Sequence, residues 1–201
     1  TPLYSSAASD VYKRQEFSSY ANLSNEILIV LNNGISPMIL EEPLMIQGYV
    51  KDTNSINLVD LTGDSKYEIV LSVIDPESEM LTPGGKFMIF NCENRFYRPA
   101  FVQPSVDGSS VMEARLISDL NSDGADEVIA SSLSCGAHTC YENYQLLVWN
   151  GKFYENRLAG ETSDLPFPAI QVNDYDGDGF FEIEITASGV GSVGAGPQRS
   201  Y

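Results

Sequence analysis

The stretch NDYDGDGFFEIEITA, residues 173–187, decides the fold. It sets five acidic side chains (Asp174, Asp176, Asp178, Glu182 and Glu184) within eleven residues and then runs into an alternating, β-branched segment. Two related stretches precede it: VDLTGDSKYEIVLSV from Val59 and SDLNSDGADEVIASS from Ser118. Aligned on Asp60, Asp119 and Asp174, they are spaced by 59 and 55 residues. A second feature recurs in phase. ILIVLNNGISPMIL, FMIFNCENRFYRPAF and LLVWNGKFYENRL each read as strand, polar turn, strand, with Asn32, Asn91 and Asn150 marking turns 59 residues apart. Fixed periods of this size belong to solenoids, propellers and arrays.

Each cassette reads as acidic loop, strand, variable loop, strand, tight turn, strand. Asn150-Gly151 has the composition of a two-residue hairpin turn. One further strand precedes the loop, ARLI before Asp119 and IQV before Asp174. Four antiparallel strands per unit is the blade of a β-propeller. The rest of the chain agrees. Its apolar residues come in short runs such as YEIVLSV, KFMIF and YQLLVW, separated by Gly, Asn, Asp, Ser and Pro, with no helix-length amphipathic pattern. The expected fold is therefore all-β: an incomplete propeller of about three four-stranded blades over residues 16–201, with units starting near 60, 119 and 174. The chain ends at GVGSVGAGPQRSY, where the strand that comes after this loop in the other units is expected to be missing. Missing blades of a parent chain are expected partners. Residues 1–15, TPLYSSAASDVYKRQ, break the pattern, and SSAASDVYKRQ resembles a translated sequencing-adapter scar. They are expected to be non-native or disordered and do not contribute to the expected fold.

The loops define the chemistry. Numbered from the first Asp, position 1 is Asp60, Asp119 or Asp174, and position 3 is Thr62, Asn121 or Asp176. Position 5 is Asp64, Asp123 or Asp178, and position 9 is Glu68, Glu127 or Glu182. All carry side-chain oxygen. Position 7 (Lys66, Ala125, Phe180) can offer only its backbone carbonyl. Position 6 is Gly124 or Gly179, where a positive φ is cheap, but Ser65 in the first loop. An all-oxygen set at alternate positions suits calcium, which takes six to eight oxygens in a flexible cage. Magnesium demands a stricter octahedron, and transition metals favour His or Cys, which these loops lack. An EF-hand would need a bidentate Glu at position 12 between helices; Leu71, Ala130 and Ile185 stand there.

On these residues the loops resemble the calcium-binding repeats of FG-GAP and VCBS proteins, which include the N-terminal propellers of integrin α chains. That family's loop is Asp-x-Asp-x-Asp-Gly-x-x-Asp before a β-branched strand. Asp174, Asp176, Asp178, Gly179 and Ile183 match it directly. Asp119, Asn121, Asp123, Gly124 and Val128 match closely, and Asp60, Asp64 and Ile69 in part. All three loops carry Glu where Asp is common, and the Phe-Gly and Gly-Ala-Pro tripeptides are not evident, so the VCBS-like branch is nearer. The resemblance spans roughly residues 23–201 and implies two to three structural calcium ions. Ligand charge ranks the loops three, two, one, with the first weakest or empty. Three ions would bring the formal charge from −17 to −11.

That charge argues against nucleic acid as a partner. No apolar run reaches the roughly 20 residues of a membrane span. Neither a nucleophile with its base nor a Gly-x-Ser-x-Gly elbow is present. The leading expectation is an extracytoplasmic module that binds an extracellular protein or carbohydrate. The alternative is a fragment of a carbohydrate-active enzyme on the same propeller, with catalytic residues in absent blades or in loops 74–85 and 131–144. Trp149, Phe153, Tyr154, Phe96 and Tyr97 would stack on sugars in that case, or fill the core. Cys135 and Cys140 either form a small disulfide or remain free thiols. A zinc site from Cys135, His138 and Cys140 would need a fourth ligand, and Cys92 is the only candidate.

Overall fold

In the computed structural model, the described residues are 16–52, 55–78, 83–106, 108–135, 139–158, 162, 165–191 and 194–200. Residues 1–15 lie outside them, as does His138. Three antiparallel sheets succeed one another along the chain. Sheet 1 has the order β1-β2-β3-β4, formed by β1 (Ile56–Val59), β2 (Glu68–Ile74), β3 (Gly85–Glu93) and β4 (Phe96–Pro104). Sheet 2 repeats it with β5 (Glu113–Ser118), β6 (Glu127–Cys135), β7 (Cys140–Trp149) and β8 (Tyr154–Asn156). Sheet 3 contains β9 (Ala169–Asn173), β10 (Glu182–Gly191) and β11 (Gly194–Ser200), with β10 in the middle. Each acidic loop joins the first strand of its sheet to the second. The register closes tightly over it: Val59 pairs with Glu68, Ser118 with Glu127 and Asn173 with Glu182.

Alternation along the second strand of each unit decides what lies on either side. In β2, Ile69, Leu71 and Val73 point one way and Val70 the other. Val70, Leu61, Phe87 and Ile89 pack on Met112, Val128, Ala130 and Leu147 of sheet 2. Ile129, Leu120 and Tyr144 then pack on Ile170, Val172, Ile185 and Ala187 of sheet 3. Burying each such aliphatic or aromatic side chain contributes about 1.5–3 kcal/mol. Gly85 permits one close approach, because a Cβ there would lie 2.2 Å from the Val73 carbonyl oxygen.

The strand–turn–strand feature does not extend to residues 27–40. That segment folds as helix α1 (Leu23–Asn32) and a 3-10 turn (Pro37–Ile39), and helix α2 (Glu41–Ile46) comes directly after it. Leu23, Ile27, Val30 and Leu31 form one buried helical face, so a period near 3.6 was present beneath what reads as a β-branched run. Pro43 sits in the first turn of α2, where its missing N–H costs nothing. This helical segment covers the outer face of sheet 1. Phe17, Ile27, Leu40, Leu44 and Tyr49 pack on Ile69, Leu71, Val73, Met88 and Phe90. Asn32 marks the end of α1 rather than a hairpin. Its Nδ2 donates to the Tyr97 carbonyl at 3.0 Å and its Oδ1 accepts from Tyr97 N at 2.7 Å, capping edge strand β4.

The turns also differ from expectation. The two-residue hairpin is Asn94-Arg95, with φ 51° and 70°, between paired Glu93 and Phe96, so Asn91 lies within β3. Asn150-Gly151 instead opens a four-residue connection, because Trp149 pairs with Tyr154. The Asn150 side chain accepts from Lys152 N and Phe153 N at 3.1 and 3.0 Å. The third unit does contain a strand after its variable loop, since β11 pairs with β10. Cys135 and Cys140 face each other in the β6–β7 ladder and form a disulfide, which removes them as zinc ligands. Trp149 and Tyr154 pack together with ring centres 5.0 Å apart, whereas Phe96 and Phe153 are exposed. No helix among the described residues is long and apolar enough to cross a membrane.

Candidate metal centre

The three acidic loops share one hydrogen-bonded frame. The position-1 carboxylate caps the turn immediately after it. Asp60 accepts from Gly63 N and Ser65 N at 2.8 and 2.7 Å. Asp119 accepts from Asp123 N and Gly124 N at 3.2 and 3.0 Å. Asp174 accepts from Gly177 N and Gly179 N at 2.7 and 3.1 Å. The position-5 carboxylate accepts the backbone N–H of position 7: Lys66 to Asp64, Ala125 to Asp123 and Phe180 to Asp178, at 2.9, 2.9 and 2.8 Å.

Position 9 reaches back across the loop. Glu68, Glu127 and Glu182 accept the N–H of Leu61, Leu120 and Tyr175 at 2.9, 2.8 and 2.9 Å. Glu68 also accepts from Cys92 N at 3.3 Å, and Glu127 from Asn121 Nδ2 at 3.2 Å. The sequence ranks these glutamates simply as ligands; the fold also gives them a strut's duty. The signal was their extra methylene, which supplies the reach. A second missed feature is position 4, where Gly63, Ser122 and Gly177 have φ 72°, 60° and 79°. Position 6 matches it, with Ser65, Gly124 and Gly179 at 61°, 87° and 87°. Two left-handed residues bracket position 5 in every loop and curl the chain inward. Glycine showed this at four of the six sites, and the serines concealed it at Ser65 and Ser122.

Curling converges the carboxylates most fully in the third loop. Oxygens of Asp174, Asp176 and Asp178 lie within 4.8 Å of one another, the one such acidic group among the described residues. Thr62 and Asn121 replace the position-3 acid in the other loops, so neither assembles three carboxylates this way. The donors nevertheless fit a hard cation, since every side chain at positions 1, 3, 5 and 9 offers oxygen. Loop one adds a specific mark: the Thr62 hydroxyl oxygen is buried, faces the Asp64 carboxylate and accepts no hydrogen bond. An exposed Lys66 ammonium pairs with Asp64 in the same loop.

The loops also sit side by side. Asp126 N donates to Asp60 O, and Phe181 N to Leu120 O, both at 2.8 Å. Ser122 Oγ donates to Gly179 O at 2.6 Å. This crowding sets the electrostatics. Burial pushes the Glu68 and Glu127 carboxyls up, and neighbouring loop aspartates push further. Burial raises Asp126 as well, helped by Asp119 and Asp60. The hydrogen bond from Lys66 chiefly holds Asp64 below its usual range.

A groove of about 510 Å³ runs between edge strands β1 and β5, lined by Asn57, Ser72, Glu113 and Arg115. Arg115 is committed there, donating from Nε to Ser131 Oγ at 2.7 Å and from Nη2 to Glu142 Oε1 at 3.0 Å. Comparison with protein-family models, curated proteins and solved structures finds no match to the chain.

Proposed function

We propose that the chain is a calcium-binding repeat module of the FG-GAP/VCBS type, its sheets the blades of a β-propeller, whose ions are structural and support extracellular ligand binding or adhesion. The observation that carries this reading is the common loop frame, repeated three times with its carboxylates turned inward and converging at Asp174, Asp176 and Asp178. Asp119, Asn121, Asp123 and the Ala125 carbonyl are the second set. Asp60, Thr62, Asp64 and the Lys66 carbonyl are the third. The Phe180 carbonyl completes the first, and Glu182, Glu127 and Glu68 close each loop. A bound calcium ion supplies charge neutralisation and fixes the carboxylates; the chain's own residues hold the ion and tie loop to strand. The Cys135–Cys140 disulfide suits an oxidising, extracytoplasmic compartment, where calcium is abundant.

The test is a calorimetric calcium titration with melting curves in calcium and after its removal. An ion at about a hundred times its Kd adds roughly 2.7 kcal/mol. In a domain of this size each kcal/mol moves Tm by about 2–4 °C. Two or three ions then separate the curves by roughly 10–30 °C. Superimposable curves would refute the reading. Asp174→Asn with Asp178→Asn abolishes the tightest site and leaves the others.

A further inference from the structure

We propose that Lys66 is a built-in counter-ion of the first loop, one that a divalent ion has to displace from Asp64 before that loop can bind it. This rests on the calcium reading above and gives one of its three loops a device the others lack. Lys66 occupies position 7, where the other loops carry Ala125 and Phe180. Its backbone N–H donates to Asp64 Oδ1 at 2.9 Å, and its ammonium pairs with Asp64 Oδ2, so both oxygens of that carboxylate are engaged from one residue. Asp123 and Asp178 accept the equivalent backbone N–H. Among the described residues, no lysine or arginine pairs with either.

Thr62 supplies the second, independent observation. It stands where the other loops place Asn121 and Asp176, and its buried hydroxyl faces the Asp64 carboxylate while its oxygen accepts no hydrogen bond. An ammonium on Asp64 neutralises charge but leaves the lone pairs of that oxygen without a partner. A divalent ion would neutralise the same charge and accept the hydroxyl oxygen as a ligand. The loop thus has two closed forms, one held by lysine and one by metal. The lysine form keeps the frame intact when calcium is scarce, since the Asp60 and Glu68 hydrogen bonds are formed alongside it. Both side chains of the pair are partly exposed, at 46% and 41%, so the lysine is free to swing into solvent when an ion arrives.

The experiment is a calcium titration of the whole chain beside Lys66→Met, which keeps the stem and removes the charge, and Lys66→Arg, which keeps the charge. Removing one positive charge a few ångströms from a divalent ion tightens binding about tenfold even in a water-like dielectric. Lys66→Met should tighten the weakest site by that factor, or bring a third site into view, while the two tighter sites stay put. Lys66→Arg should leave all three near wild type. In metal-free buffer Lys66→Met should lower Tm, and the same change made on Asp64→Asn should not. If the two tighter sites fill and Lys66→Met leaves the weakest unmoved or weaker, this proposal alone is overturned. If no site fills, the calcium reading fails and takes this proposal with it.

Discussion

Sheets 2 and 3 are built on the same loop and the same strand order, yet they stand in different surroundings. Count along the second strand from the loop's first Asp. Position 11 is Ile129 in sheet 2, buried against sheet 3; in sheet 3 it is Glu184. Position 2 is Leu120, 6% exposed, against Tyr175, 57% exposed. Position 9 is Glu127, buried, against Glu182, exposed. Sheet 1 matches sheet 2 at all three, with Val70, Leu61 and Glu68 buried. Even positions along the strand therefore pack each sheet on its predecessor in the chain, and positions 2 and 11 decide whether an apolar face is offered to a successor. Helices α1 and α2 stand in for the preceding sheet at sheet 1. The corresponding face of sheet 3 instead carries side-chain hydrogen bonds: Asn173 Nδ2 donates to Tyr175 Oη at 3.2 Å, and Tyr175 Oη to Glu184 Oε2 at 3.3 Å.

Position 11 offers the widest contrast. Ile129→Ala removes three buried carbons between two sheets and should cost about 2–4 kcal/mol. Glu184→Ala should stay within roughly 0.5 kcal/mol. Urea unfolding midpoints at constant m-value measure both. Equal losses would mean that sheet 3 is covered on its polar face in solution. Ile27→Ala, in the helix that caps sheet 1, belongs with Ile129 at about 2–4 kcal/mol, because both side chains are enclosed between layers.

Position 9 comes next. Glu127→Ala strands the Leu120 N–H in a buried setting, and a hydrogen bond to a charged group is worth about 1.5–3 kcal/mol. Glu182→Ala exposes the Tyr175 N–H to water, which satisfies it, so the loss should be under about 1 kcal/mol in metal-free buffer. With calcium present the order should reverse, since the third loop is the one whose carboxylates already converge. A Glu182 variant that binds as tightly as wild type would show that this carboxylate serves only as a strut.

Much of this was legible in the sequence. The loop period, the four strands of sheets 1 and 2, and the acidic residues that frame each turn read directly, because aspartate and glycine at fixed offsets have few alternative uses. Three things did not read. Residues 27–31 are Ile, Leu, Ile, Val and Leu, and a run of that kind fits a buried strand as well as a helix until the spacing of Leu23, Ile27, Val30 and Leu31 is counted. Asn94-Arg95 makes the tight turn although arginine seldom takes a positive φ, while the more suggestive Asn150-Gly151 opens a longer one. The strut role of Glu68 and Glu127 depends on which neighbour approaches, and that is a property of the stacked loops rather than of either segment.

The same contrast governs pH. Burial raises the carboxyls of Glu68 and Glu127, in the sheets covered on both faces. An acid whose folded pKa lies above its unfolded value, about 4.3, favours folding most when protonated. That contribution is full below the unfolded pKa and is lost as pH rises through the folded one. Metal-free protein should therefore melt progressively lower as pH rises from about 4.3 through the raised folded values. With calcium the sign should invert, because the ligands must be ionised to bind. Glu68→Gln with Glu127→Gln should flatten the metal-free profile. A metal-free Tm that climbs with pH would contradict the crowding inferred for these two loops.

The smallest expected effect tests the polar face itself. Glu184→Leu places an aliphatic side chain where sheet 2 has Ile129, and at the surface it should change the unfolding midpoint by less than about 0.5 kcal/mol. What should change is association. Glu184 carries a charge on that face, as does Glu182, and accepts the Tyr175 hydroxyl. Leucine there, beside the exposed Tyr175 ring, joins an apolar patch on a sheet whose neighbours in the same chain bury theirs. Sedimentation velocity over a concentration series should show Glu184→Leu forming reversible dimers where wild type shows none through this face. Glu184→Gln, which keeps the size and the hydrogen bond, should behave as wild type. If Glu184→Leu sediments unchanged at the highest concentrations, the face is not kept open by its polarity. Positions 2 and 11 would then describe where the sheets already sit and would not determine it.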